Sequence, residues 1–305
     1  VRSRVIPTLA VGDAVGVIAP AGPVDPGRLR HGMERLAGWG LRPVAGEHVF
    51  RVSGYLAGSD GERVADLTQA MTDDKLSGVF YARGGYGTTR LLARLDLDRL
   101  AASQRLLVGY SDATALGLAL SVREPYPYLH GPSVADLGSR QPDVEEASLV
   151  AGLFGNHPGG RQVLAGLEPI QGGVARGIAL GGCLSLVCAL IGTPYEPPLA
   201  ERILFLEEVN EEPYRLDRML THLAAGGRLD RLAGLLLGQF TDCASRDPRR
   251  PSFSAAEVLE EFARSLGVPV LAGLPAGHGP EQVTIPLGVE VGLNADAGEV
   301  VFHHC

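Results

Sequence analysis

Apolar and polar positions alternate along this chain in two rhythms. Compact apolar runs at 14–19, 78–81 and 105–108 have the length of strands buried on both faces. A shorter run at 41–45 can serve as another strand. Between them the spacing changes to that of helices. Asp25 followed by Pro26 is an N-cap with proline at the first helical position, and the helix it opens should run to about 37, where Gly38 and Gly40 stop it. Residues 62–71 place Val64, Leu67 and Met71 on one helical face. Helices are also predicted over 88–95 and 113–122. Strands alternating with helices imply a parallel sheet covered on both sides, an α/β architecture.

The periodicity weakens from about 142 to 173, where Asn156-His157-Pro158-Gly159-Gly160 reads as a loop. The chain is therefore divided into an N-terminal α/β domain at 1–150, a linker at 151–172 and a C-terminal domain at 173–305. The second domain is mixed and richer in β structure. Strands are predicted at 202–206, 235–239 and 268–271, and Ser254 with Glu257 forms a capping box for a helix stopped by Gly267. The alternation over 282–303 reads as antiparallel strands.

Composition narrows the function classes. The chain has 305 residues, 45% of them hydrophobic, and a formal net charge of -8. That balance offers no basic excess to displace counterions from a nucleic acid, so no nucleic-acid partner is expected. No apolar run approaches the length of a membrane span, and the N-terminal residues do not form a signal-peptide core. A cytoplasmic enzyme without membrane partners is the expectation. Cys183, Cys188, Cys243 and Cys305 are unevenly spaced and read as unpaired cytosolic thiols. The tail His303-His304-Cys305 cannot converge on one ion, and no HExxH or CxxC pair occurs, so neither a metal nor another cofactor is expected.

Four segments carry candidate chemistry. In Val108-Gly109-Tyr110-Ser111-Asp112 a buried strand enters a tight turn and a helix follows at once, which presents Ser111 at the carboxyl end of the sheet. This is the logic of a nucleophile elbow without the GxSxG spacing; alternatively, Ser111 or Asp112 simply caps the helix. Arg83-Gly84-Gly85-Tyr86-Gly87 also follows a strand. Its glycines could offer N–H donors to an anion or form a plain turn, and it matches neither a Walker A loop nor GxGxxG. The apolar strand before Glu207 and Glu208 ends in paired carboxylates, one of which could orient a histidine. His278 lies between Gly277 and Gly279, with small neighbours that permit approach to a nucleophile. Chain order is thus serine, glutamate, histidine.

These segments, with Gly16-Val17-Ile18-Ala19-Pro20-Ala21-Gly22, Gly54-Tyr55-Leu56-Ala57-Gly58, His130-Gly131-Pro132, Gly181-Gly182-Cys183-Leu184-Ser185 and Tyr214-Arg215-Leu216-Asp217-Arg218, resemble the LD-carboxypeptidase family of serine peptidases. That family also contains the microcin C immunity peptidases. The resemblance implies Ser111 as nucleophile, His278 as general base and Glu207 as the acidic member, the first acid of the family's Leu-Glu-Asp motif. It implies oxyanion donors at the Asp112 backbone and the Gly84–Gly85 turn, a homodimer, no metal, and a peptidoglycan-derived peptide as substrate. Cleavage would remove the terminal D-alanine of a murein tetrapeptide. Arg83 is a candidate for the substrate carboxylate, with a structural role as its alternative. Cys183 stands where the family usually has asparagine, and Glu208 where it usually has aspartate.

Two other readings remain open. An immunity-type peptidase would cleave an aminoacyl-nucleotide and stack the base on an added aromatic; Trp39 is the only tryptophan, leaving Tyr126, Tyr128 or Tyr195 for that role. A non-catalytic protein would use the glycine loop to bind a phosphate or a sugar.

Overall fold

The computed structural model describes residues 5–139, 143–247 and 249–303, so His304 and Cys305 of the tail motif lie outside the described residues. The first sheet is built from β1 (Ala14–Ile18), β2 (Arg42–Ala45), β3 (Gly78–Tyr81), β4 (Leu106–Val108) and β5 (Tyr128–His130). Their spatial order is β2-β1-β3-β4-β5, all parallel.

The second sheet has β6 (Arg161–Ala165), β7 (Glu168–Gln171), β8 (Val174–Cys183), β9 (Arg202–Val209), β10 (Gly234–Thr241) and β11 (Val270–Ala272). Of the last three strands, β12 (Ile285–Leu287) crosses back to pair antiparallel with β5. β13 (Glu290–Asn294) and β14 (Glu299–His303) complete the second sheet. Its order is β6-β14-β13-β8-β9-β10-β11-β7, with β8 to β11 parallel and the flanking pairs antiparallel. The α/β class with a mixed, β-richer second half therefore holds. Two of the second sheet's edge strands, β6 and β7, fall inside the stretch 151–172 that the sequence suggested as a linker, and a helix occupies Asp143–Phe154 before them.

Local chemistry accounts for the element boundaries. Asp25 accepts the Arg28 N–H and Pro26 opens the helix Pro26–Gly38. Ser59 and Glu62 form a reciprocal capping box, which moves the start of the next helix back to Asp60 from the predicted 62. The predicted box at Ser254 and Glu257 is also complete. The helix predicted over 88–95 is instead two 3₁₀ turns, Thr88–Arg90 and Leu92–Arg94. Their N–H groups bond three residues back, Arg90 to Gly87, Leu91 to Thr88 and Arg94 to Leu91, and Asp96 then caps a fresh helix at Leu97–Ala102.

The two sheets share one core. A single apolar cluster joins Tyr81, Leu107, Leu116 and Tyr128 of the first half to Leu204, Phe205 and Leu235 of the second. The helix Ala113–Leu120 lies in that seam with all eight residues buried, as an apolar sequence on every face requires. It begins two residues after Ser111, so the seam fixes the serine relative to the second sheet. Thr114 adds a polar tie, its Oγ1 accepting the N–H of Cys183 at the end of β8 (3.1 Å).

Candidate active site

Ser111 follows β4 in a left-handed backbone conformation, with φ at +57°. A residue bearing a β-carbon adopts that region at a cost of order 1–3 kcal/mol, and such strain gathers at functional turns. Here it turns the chain out of the sheet while the Tyr110 and Ser111 carbonyls accept the first helical N–H groups, from Ala113 and Thr114. Asp112 does not cap this helix with its side chain. Its carboxylate, fully buried, accepts the Thr88 N–H at 2.8 Å instead. Burial pushes the Asp112 carboxyl above its ordinary range, and hydrogen bonds from Thr88 and Gly87 and the Arg63 charge pull it back.

The glycine loop lies directly on the serine. A β-carbon placed on Gly84 would stand 2.9 Å from Ser111 Cβ, 3.0 Å from its Oγ and 4.0 Å from the Asp112 nitrogen. The Gly84 carbonyl accepts the Gly22 N–H at 3.2 Å, which joins this loop to the one after β1. Arg83 is exposed and donates to the Pro23 carbonyl at 2.7 Å.

The second sheet supplies the acid and the histidine. Glu207 and Glu208 are successive residues of β9, so their side chains leave on opposite faces. Glu207 is fully buried and meets His278 Nδ1 at 2.7 Å through Oε2, while its Oε1 has no hydrogen-bond partner among the described residues. Burial raises the Glu207 carboxyl; the hydrogen bond and charge of His278 oppose that rise. Glu208 accepts the Ser185 N–H at 2.7 Å and the Val209 N–H at 2.9 Å, with the Cys183 thiol at 3.3 Å. It therefore serves the start of the helix Leu184–Leu190. Burial and the two glutamates hold the Cys183 thiol well above its ordinary pKa, so it is no competing nucleophile.

Two contacts hold the histidine loop. Gly277 has φ at +130° and its α-carbon passes so close that a β-carbon would stand 2.9 Å from Glu207 Oε2; only glycine suits it. Gln239 of β10 accepts the Gly279 N–H and donates to the Glu281 carbonyl, each at 2.8 Å. Tyr110, the residue before Ser111, packs its ring 4.7 Å from that of His278, which sets the acid–histidine pair against the serine turn. Behind it, His130 is fully buried with neither ring nitrogen hydrogen-bonded among the described residues, and burial, then the His278 charge, push it down to about 3. It is a neutral wall of the site.

Ser111, Gly84 and Asp112 are thus brought together from the first sheet, and Glu207 and His278 from the second. Sequence reasoning passed over Arg63, Thr88, Tyr110, Thr114, His130 and Gln239 as site residues. Their roles depend on contacts between distant segments; only Tyr110, in the turn before Ser111, and His130, next to Gly131-Pro132, lay in segments that carried a motif signal. Among the described residues no group of three histidine, cysteine or acidic side chains could hold a metal ion, and no helix is long and apolar enough to cross a membrane.

A strained serine at a strand end, beside a glycine loop and a buried glutamate–histidine pair, defines the class of serine-type hydrolases. Comparison with known proteins makes the class specific. Residues 15–131 match the LD-carboxypeptidase N-terminal domain and residues 176–293 the LD-carboxypeptidase C-terminal domain. A Streptomyces coelicolor protein named as a carboxypeptidase is 41% identical over 295 residues, covering 95% of this chain and 93% of its own. The murein tetrapeptide carboxypeptidase of Pseudomonas aeruginosa is 34% identical over 287 residues, covering 90% and 91%. The fold also matches the structure of MccF in complex with glutamyl sulfamoyl guanosine, with a TM-score of 0.88 at 22% identity and 98% of each chain covered. The chain belongs to the LD-carboxypeptidase family and is a serine-type carboxypeptidase.

Proposed function

We propose that this carboxypeptidase removes the terminal D-alanine from murein tetrapeptide fragments through a Ser111–His278–Glu207 triad. The observation that carries the reading is the 2.7 Å contact of His278 Nδ1 with a fully buried Glu207, on a ring packed against the residue preceding a strained Ser111. Glu207 holds one tautomer of His278, leaving Nε2 to take the Ser111 proton as Oγ attacks the scissile carbonyl. The N–H groups of Asp112 and of the Gly84–Gly85 turn meet the oxyanion, where losing one donor costs about 10²–10³ in turnover. His278 returns the proton to the leaving D-alanine amine, and water cleaves the acyl-enzyme. The substrate is supported by the murein tetrapeptide carboxypeptidase among the relatives. A homodimer, which rests on the family resemblance, acting on recycled fragments in the cytoplasm completes the reading.

The immunity-type alternative loses two of its stacking candidates, because Tyr126 and Tyr128 are buried in the core. Incubating the protein and Ser111→Ala with a murein tetrapeptide, and following free D-alanine by mass spectrometry, tests the proposal. Release by the wild type alone is expected. Equal release from both removes Ser111 from its role; release from neither, with an aminoacyl-nucleotide cleaved instead, moves the substrate to the immunity class.

A further inference from the structure

The Gly87–Thr88 peptide group, at the far end of the glycine loop, is held between two buried side chains of opposite charge. Its carbonyl oxygen accepts from Arg63 Nη1 at 3.0 Å, and its N–H donates to Asp112 Oδ2 at 2.8 Å. Asp112 is fully buried and the Arg63 side chain is 1% exposed. Arg63 also donates to the Pro20 carbonyl and, through Nη2, to Asp60 at 2.5 Å. One guanidinium therefore joins the loops after β1 and β3, and the carboxylate beside the nucleophile secures the same peptide from the other side. A β-carbon on Gly87 would stand 2.6 Å from Arg63 Nη1, so the approach of guanidinium to loop depends on a glycine there.

Buried charges of this kind are expensive. Replacing them with apolar groups often stabilises a protein, so stability alone is a weak reason for their presence. Their position supplies a better one. The clamped peptide is three residues from Gly84, whose backbone rests on Ser111, and the anion of the clamp is the side chain of Asp112, the residue after Ser111. An oxyanion site acts through donors already aimed before charge develops. We propose that Arg63 and Asp112 are a positioning pair that fixes the Arg83–Gly87 loop over Ser111, so that backbone donors from both sides of the nucleophile stay aligned. The inference rests on Ser111 being the nucleophile and gives the Asp112 side chain a task separate from its backbone N–H.

The test reads the aim of the site with a fluorophosphonate. Ser111 Oγ bonds to phosphorus, fluoride leaves, the serine proton passes to His278, and negative charge builds on the phosphoryl oxygen. Asp112→Ala should label about 10- to 100-fold more slowly than wild type at a temperature where it is folded, the size expected for misaligned oxyanion donors. Asp112→Asn should recover most of that rate, because its amide oxygen can still accept the Thr88 N–H. With tetrapeptide, kcat should carry the loss and KM should move by no more than about threefold. A folded Asp112→Ala labelling within twofold of wild type overturns the proposal. Hydrogen exchange on the wild-type protein needs no variant: the Thr88 amide should be strongly protected, and exchange at open-loop rates overturns the clamp. Labelling that persists in Ser111→Ala would instead refute the nucleophile, whatever Thr88 does.

Discussion

Among the described residues, two histidine–carboxylate contacts have the same length, and only one belongs to the candidate site. His48 Nδ1 meets Asp66 Oδ1 at 2.7 Å, and His278 Nδ1 meets Glu207 Oε2 at 2.7 Å. Their surroundings differ. Asp66 uses its other oxygen to accept the His48 backbone N–H at 2.9 Å, so both oxygens tie one helix to the loop after β2. Glu207 has no such second partner among the described residues, and no exposure. Its one hydrogen bond goes to a ring packed on Tyr110 beside Ser111. A short histidine–carboxylate contact is therefore no mark of catalysis. The mark is a carboxylate whose interaction is directed through the ring toward a third group, in a place where water does not screen it.

The sharpest way to break the comparison is Glu207→Gln. The amide preserves volume but presents a donor or neutral acceptor to Nδ1, which loosens the tautomer; kcat should fall by about 10⁴, the size seen when such an acid becomes an amide. Stability should move the other way. Burial raises the Glu207 pKa in the folded state, so folding favours the protonated form and stability is lost as pH rises from the ordinary 4.5 through the raised value. Glutamine avoids that cost, and the variant's Tm at about pH 8 should equal or exceed wild type. A variant that melts lower while keeping its turnover would place Glu207 with Asp66 as a structural acid.

The serine side depends on backbone rather than charge, and Gly84→Ala tests that difference. The added methyl meets Ser111 Cβ and Oγ at 2.9 and 3.0 Å, so either the loop or the serine must shift. A loss of about 10²–10³ in kcat is expected, comparable to losing an oxyanion donor, with little change in Tm because the loop surface is partly exposed. Wild-type turnover in Gly84→Ala would remove the loop from the oxyanion site.

These contrasts also explain what could be read in the chain. Strands β1, β3 and β4 are unbroken apolar runs with glycine or proline at their ends, so periodicity and punctuation found them. Ser111 was visible because a strand, a turn and a helix meet within a few residues. Glu207 and His278 were 71 positions apart, and nothing local joined them; the family resemblance supplied that link. Arg63 was not legible at all. It sits in an amphipathic helix where arginine ordinarily faces solvent, and its burial follows from loops donated by β1 and β3. β5 and β8 were passed over because Pro127 precedes one and glycines interrupt the other, which weakens strand signals that tertiary pairing overrides.

The smallest expected effect belongs to the other pair and fixes the contrast by pH. The hydrogen bond to Asp66 raises the His48 pKa above the ordinary 6.5, against a smaller effect of burial, and the charges of Asp66, Glu47 and Glu62 add to the rise. A histidine that binds its proton more tightly when folded stabilises the protein fully below its unfolded pKa and loses that contribution as pH rises through the folded value. His48→Gln should therefore lower Tm more at about pH 5.5 than at about pH 9, while kcat for D-alanine release, measured where both proteins are folded, stays at wild type. Equal Tm shifts at both pH values would mean that the His48 contact works as a neutral hydrogen bond. A change in kcat without a change in Tm would mean that the two pairs communicate, and that the carboxylate's second bond does not separate a structural pair from a catalytic one.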